Sequence, residues 1–222
     1  PTLPSYVRDT QHFIKRILDI GTLPEGCILA TWDVTSLYTN IPNTEGINAV
    51  MEKVRADSQA QIPAHKLGKL LENVLRKNYF EFNGQLYLQT GGTAMGTKCA
   101  PSYANLFMGQ FEQTLLAEFD LKPLLWLRFI DDIFFIWPHG EAQLQRFLQF
   151  ANEKHPTIKF TSEHSRTHLN FLDTTVKIDN VTREIYTTLY MKPTDTRDFL
   201  QFSSSHPRNT KIGGPYGQFL RI

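Results

Sequence analysis

Cysteine is nearly absent. Only Cys27 and Cys99 occur among 222 residues, far apart in the chain. That excludes a disulfide framework and any zinc site of close Cys spacing, and it makes a reducing compartment the default expectation. No apolar run is long enough to cross a membrane as a helix, and no signal-peptide pattern opens the chain. Internal repeats and low-complexity tracts are missing as well. Neither sign of charge dominates: 23 Lys and Arg stand against 22 Asp and Glu, a formal net charge of +1. Such a balance neither demands nor excludes a polyanionic partner, because a basic groove can coexist with acidic functional residues. There is no Ser-His-Asp or Cys-His pattern, which fits chemistry that needs no covalent intermediate. The chain opens on Pro1 and stops at Ile222, which is read as a fragment of a longer protein.

What is present describes a folded chain with one sizeable core: 41% hydrophobic and 20% charged residues. Helical spacing runs through Tyr6 to Ile20, with Phe13, Ile14, Ile17 and Leu18 on one face. Cys27 to Trp32 reads as a strand that delivers Asp33 at its end. Helices follow from Asn43-Thr44 and from Pro63. Tyr79 to Leu88 is a hairpin about Asn83-Gly84. Thr90 to Pro101 is loop, and a long helix starts at Pro101. Another helix is expected over Glu141 to Lys154, then strands over Ile158–Glu163, Leu169–Ile178 and Glu184–Met191, then a loop-rich tail from Ser203. This mixed order predicts an α+β fold, an antiparallel sheet covered on one face by helices.

The central stretch is Leu125 to Trp137, in which Asp131-Asp132 interrupts two apolar, aromatic runs. A strand pair turning at the acids would lift both carboxylates to a hairpin tip. Adjacent like charges repel and call for a compensating cation. Hard oxygen ligands of this kind suit Mg²⁺, which takes one or two protein carboxylates and keeps room for water and phosphate. Asp33, ending another strand, would complete a three-carboxylate cluster able to hold two Mg²⁺, or Mn²⁺, for in-line phosphoryl transfer.

At this point the motifs are recognisable. Asp33-Val34-Thr35-Ser36-Leu37-Tyr38-Thr39-Asn40-Ile41-Pro42 resembles motif A of reverse transcriptases. Gly92-Thr93-Ala94-Met95-Gly96-Thr97-Lys98-Cys99-Ala100-Pro101 resembles motif B, and Phe129-Ile130-Asp131-Asp132 resembles motif C. Leu169 to Asp173, Met191-Lys192-Pro193-Thr194-Asp195, Ser205-His206-Pro207 and Pro215 to Arg221 resemble the Penelope-like retroelements, relatives of telomerase-type enzymes. The resemblance implies a right-hand polymerase palm with partial fingers over residues 1–202 and the start of a thumb over 203–222. It implies RNA-directed DNA synthesis from dNTPs on an RNA template and a DNA primer. An intracellular setting, with the nucleus favoured, follows from it too, as does the absence of a membrane partner.

The roles it implies fall on named residues. Asp33, Asp131 and Asp132 would be catalytic carboxylates and metal ligands, with the Val34 carbonyl as a further oxygen. Tyr38 stands where such enzymes carry an aromatic gate against a 2′-hydroxyl. Met95 replaces the Gln of many relatives, and a thioether donates no hydrogen bond to a nucleotide. Gly96 lets backbone approach the nucleotide. Lys98, Lys192, Arg197, His206, Arg208 and Lys211 would meet nucleic acid through salt-dependent phosphate contacts. Arg128 could offset the charge of the acidic hairpin, and Lys159 is a weak candidate proton donor to pyrophosphate. The triphosphate-gripping residues of the fingers, and an endonuclease of the kind many relatives carry, have no counterpart in the sequence. Two other readings stand beside this one: an inactive nucleic-acid-binding remnant, and an RNA-dependent RNA polymerase.

Overall fold

The computed structural model describes residues 3–194 and 200–219. Helix α1 (Thr10–Leu18) leads into strand β1 (Ile28–Val34), the single-turn α2 (Leu37–Asn40), α3 (Asn43–Ala56) and α4 (Ala64–Arg76). A hairpin, β2 (Tyr79–Phe82) and β3 (Gln85–Leu88), precedes the long α5 (Ala100–Glu118). Strands β4 (Leu125–Phe129) and β5 (Asp132–Trp137) are followed by α6 (Glu141–Lys154) and β6 (Phe160–Ser165). The chain then runs through β7 (His168–Phe171), β8 (Thr174–Ile178), β9 (Ile185–Leu189) and α7 (Arg208–Phe219). The expected α+β plan is what the structure has.

A four-stranded antiparallel sheet in the order β4-β5-β1-β6 is the frame. Its inner strands β1 and β5 are apolar at nearly every position because both faces are covered, whereas the edge strand β6 is largely polar. One face packs under α3, α5 and α6 through Ile28, Ala30, Trp32, Ile133, Phe135 and Trp137. The other carries Leu29, Leu127, Phe134 and Ile136, and is covered by α1 and the three-stranded sheet β7-β8-β9. Thus helices dominate one side as expected, while a second small sheet closes the other.

Trp32 sits at the middle of the first core with 1% exposure. Its ring lies 4.8–5.5 Å from those of Phe147, Phe135, Phe160 and Trp126, largely in edge-on or tilted arrangements. Such contacts add to simple area burial. They anchor the strand residue that immediately precedes Asp33.

Two expectations fail on turn chemistry. The run Leu169–Ile178 is not one strand: Leu172 takes a positive φ of 52°, and Leu172-Asp173 turns the chain between β7 and β8. Nothing in Phe-Leu-Asp-Thr announces that turn, because no glycine marks it. The tail is not all loop either: α7 starts next to Pro207, whose carbonyl accepts from the Thr210 and Lys211 amides. Gly213, Gly214 and Pro215 mask a helix that local propensity disfavours. The β2–β3 hairpin turns on Asn83 and Gly84, both at positive φ, as predicted. All eight of its strand residues are exposed.

Replacing Trp32 by Ala leaves a large void in this core. It is expected to cost about 3–5 kcal/mol and to lower the melting temperature by roughly 6–20 °C, read by circular dichroism. An unchanged melting temperature would mean that the aromatic cluster is not the anchor.

Candidate active site

The register of the frame brings the acids together. Asp33 on β1 is directly opposite Asp132 on β5, so both side chains leave the sheet on the same face. The Val34 amide donates to the Asp131 carbonyl at 3.1 Å, which places Asp131 beside them. The same alternation points the Val34 carbonyl toward the β5 side of the strand. Thr31 and Thr161 share the acidic face with Glu163, and Asn170 closes it from β7. Together they line a polar recess of about 230 Å³. Glu163 and Asn170 were not singled out from sequence. A period-2 reading of the strand over Glu163 could have put it on the face of Asp33 only if the β1–β6 pairing had been known.

The turn itself is shifted from expectation. Phe129 pairs with Asp132, so the two central residues are Ile130 and Asp131, and Asp132 opens β5. A two-residue turn one residue later would slide β5 by two positions along β4, keeping the faces but setting Phe135 opposite Arg128 instead of Trp126. Ile130 has φ 56°, a left-handed conformation that a β-branched residue adopts only under constraint, at about 1–3 kcal/mol. Arg128 does not offset the acids. It has no solvent exposure, and its Nε donates to Glu112 Oε1 at 2.7 Å on the other side of the strand. Lys159 is occupied by the carbonyls of Asn152 and His155 at the end of α6.

Repulsion is visible in the acids' protonation. Enclosure in the recess, then the charges of Asp131 and Asp33, push the Asp132 carboxyl up to about 6, with Lys192 pulling against them. Asp33 is raised by burial and then by Asp131. The Tyr38 hydroxyl is likewise raised by burial and then by Asp131. Among the described residues no three His, Cys, Asp or Glu side chains form a ready-made metal cage. Crowded carboxylates that outnumber the one opposing Lys192 still fit a hard divalent cation that completes its shell with water and phosphate.

The glycine-rich loop is fastened to the segment that carries Tyr38. The Thr93 amide donates to the Tyr38 carbonyl at 2.7 Å, and Thr93 is buried. Gly92, at φ 68°, lies so close to Thr39 that a Cβ would meet backbone atoms at 2.6–2.8 Å. Met95 is 82% exposed, and Gly96, at φ 88°, borders open space. Of the basic positions, Lys98, Lys192 and Arg208 are exposed, and His206 bonds to Ser204. Lys211 donates to the carbonyls of Phe202 and Ser204. Arg197 and Arg221 lie outside the described residues.

Residues 4–181 match the family model described as reverse transcriptase (RNA-dependent DNA polymerase). The chain belongs to the reverse transcriptase family. No curated protein matches it in sequence. Among solved structures, this reverse transcriptase chain is similar to apo telomerase from Candida tropicalis truncated from its C-terminal domain. The TM-score is 0.58 at 16% identity, over 83% of this chain and 41% of that one. Telomerase from Candida albicans, in complex with a fragment of telomeric RNA, gives 0.60 at 14% over 81% and 34%. The RNA-dependent RNA polymerase of a human picobirnavirus gives 0.60 at 12% over 79% and 33%. At these identities the likeness is one of fold, the polymerase palm. The chain spans 41% and 34% of the lengths of the two telomerases.

Two outcomes follow for this member of the family. Gly92→Ala both strains a left-handed residue and collides with Thr39, whereas Gly96→Ala has only the strain. In chemical denaturation Gly96→Ala should cost about 1 kcal/mol and Gly92→Ala clearly more; equal costs would refute the close packing. For Asp132, the folded carboxyl holds its proton to higher pH than the unfolded chain does. Stability is therefore lost as pH rises from the ordinary carboxylate range through about 6. With chelator present, Asp132→Asn should melt above the parent at about pH 8 and level with it near about pH 4. Mg²⁺ should narrow the gap at the higher pH.

Proposed function

We propose that the chain is the palm core of a Penelope-like reverse transcriptase, adding deoxynucleotides to a primer 3′-hydroxyl on an RNA template. The observation that carries this reading is Asp33 held opposite Asp132, with Asp131 in the adjoining turn, on a palm of the reverse transcriptase family. The Penelope-like assignment rests on the later motifs from Leu169 to Arg221.

Asp33 and Asp131, with the Val34 carbonyl, would hold two Mg²⁺, and Asp132 would support them from the next position. Divalent cations, when bound there, lower the pKa of the primer hydroxyl and neutralise charge on the phosphate. Tyr38 would set its ring under the sugar and collide with a 2′-hydroxyl. The loop fastened to it through Thr93 would carry Gly96 and Met95 to the base and sugar of the incoming nucleotide. Met95 contributes packing there and no hydrogen bond. Lys98, Lys192, Arg197, His206, Arg208 and Lys211 would draw the template and primer backbones by charge and phosphate contact.

The test is primer extension by the complete open reading frame on RNA and DNA templates. Asp131→Asn should lower the rate by about three orders of magnitude with the fold retained; an active variant would refute the ligand assignment. The likeness to a picobirnavirus RNA-dependent RNA polymerase favours a second reading, synthesis of RNA. Tyr38→Ala separates the two. Under the first reading it relaxes discrimination against ribonucleotides by about 10- to 100-fold. Under the second, the parent already accepts them.

A further inference from the structure

The buried network around Arg128 is unused by the chemistry above, and it touches the one strained residue of the acidic turn. The guanidinium has no solvent exposure and spends all three nitrogens. Nε donates to Glu112 Oε1 at 2.7 Å, and Nη2 donates to the Asn105 carbonyl at 3.1 Å. Nη1 donates to Asn105 Oδ1 at 2.6 Å and to the Ile130 carbonyl at 2.9 Å. Glu112 is completed by Trp126 Nε1 at 2.9 Å and Ser5 Oγ at 2.7 Å. Two features separate this from a plain strand-to-helix ion pair. One nitrogen grips the carbonyl of Ile130, whose left-handed backbone persists only if its surroundings over-determine it. Two more contacts fall on Asn105, near the start of α5, the helix that leaves the glycine-rich loop.

We propose that Arg128 is a positioning residue. It locks the Ile130-Asp131 turn to α5, so that the carboxylates of Asp131 and Asp132 keep a fixed place relative to Asp33 and to the loop that packs on Tyr38. The catalytic meaning of that place rests on the polymerase reading; the locking itself does not. The planar fork is essential, because a lysine ammonium cannot reach Glu112, Asn105 and the Ile130 carbonyl from one point.

Arg128→Lys and Asn105→Ala, made in the full chain, test this by amide hydrogen exchange. In Arg128→Lys, exchange at residues 129–133 and 92–99 should rise by about tenfold or more, while the centres of β1 and α6 stay near parent values. Exchange that rises evenly through the sheet, or a turn that does not change, overturns the proposal. Where Arg128→Lys fails to fold, Asn105→Ala decides: it removes one of the four donations and keeps the Glu112 pair and both carbonyl contacts, so a smaller rise confined to the same two segments is expected and no rise overturns the proposal. In primer extension, the Mn²⁺ concentration for half-maximal rate should rise about 10- to 100-fold with the KM for primer unchanged. An unchanged metal requirement removes the link to catalysis. A parent protein that extends no primer sinks the proposed function instead, and the exchange result still stands or falls alone.

Discussion

The pairing of β1 with β5 is the constraint on which the rest depends. It sets Asp33 opposite Asp132, and nothing in the acids themselves favours that approach. The register is held by side chains with no part in chemistry. Odd and even positions of both strands enter different cores, one under helices and one under the small sheet. A slip by one residue would exchange every occupant of both. The acids therefore inherit their relative position from apolar packing.

That packing also sustains unfavourable local structure. Three like-charged groups share one end of the strand pair, and the turn between β4 and β5 puts isoleucine where glycine would be unstrained. Around this spot lie Trp32 with its ring of aromatic neighbours and the fully satisfied Arg128–Glu112 network. A buried ion pair is no guarantee of net stability, since desolvation offsets its attraction. Its value here is geometric, because its donors end on the backbone of the turn and of α5.

Much of this was legible in the chain. The strand before Asp33, the Asn83-Gly84 hairpin, the helix from Pro101 and the apolar flanks of Asp131-Asp132 all carry local signals, and all formed. What stayed hidden depends on residues distant in sequence. The turn at Ile130-Asp131 goes with the pairing of Phe135 with Trp126 and of Ile133 with Arg128, which the local sequence does not announce. The break at Leu172 has no glycine to reveal it, and α7 contradicts its own Gly-Gly-Pro. Arg128 reads as a flanking cation until Glu112, sixteen residues upstream, is seen beside it. Glu163 joins the acidic recess only through the β1–β6 pairing.

The hairpin of β2 and β3 has a different consequence. It pairs with no other strand among the described residues, and it holds Tyr79, Phe80, Phe82, Leu86, Tyr87 and Leu88 out in water. Unpaired strand edges beside aromatic surface are adhesive. Within the described surface, this hairpin is therefore the place best suited to receive a further strand or apolar face, while the palm beneath it keeps both of its cores closed.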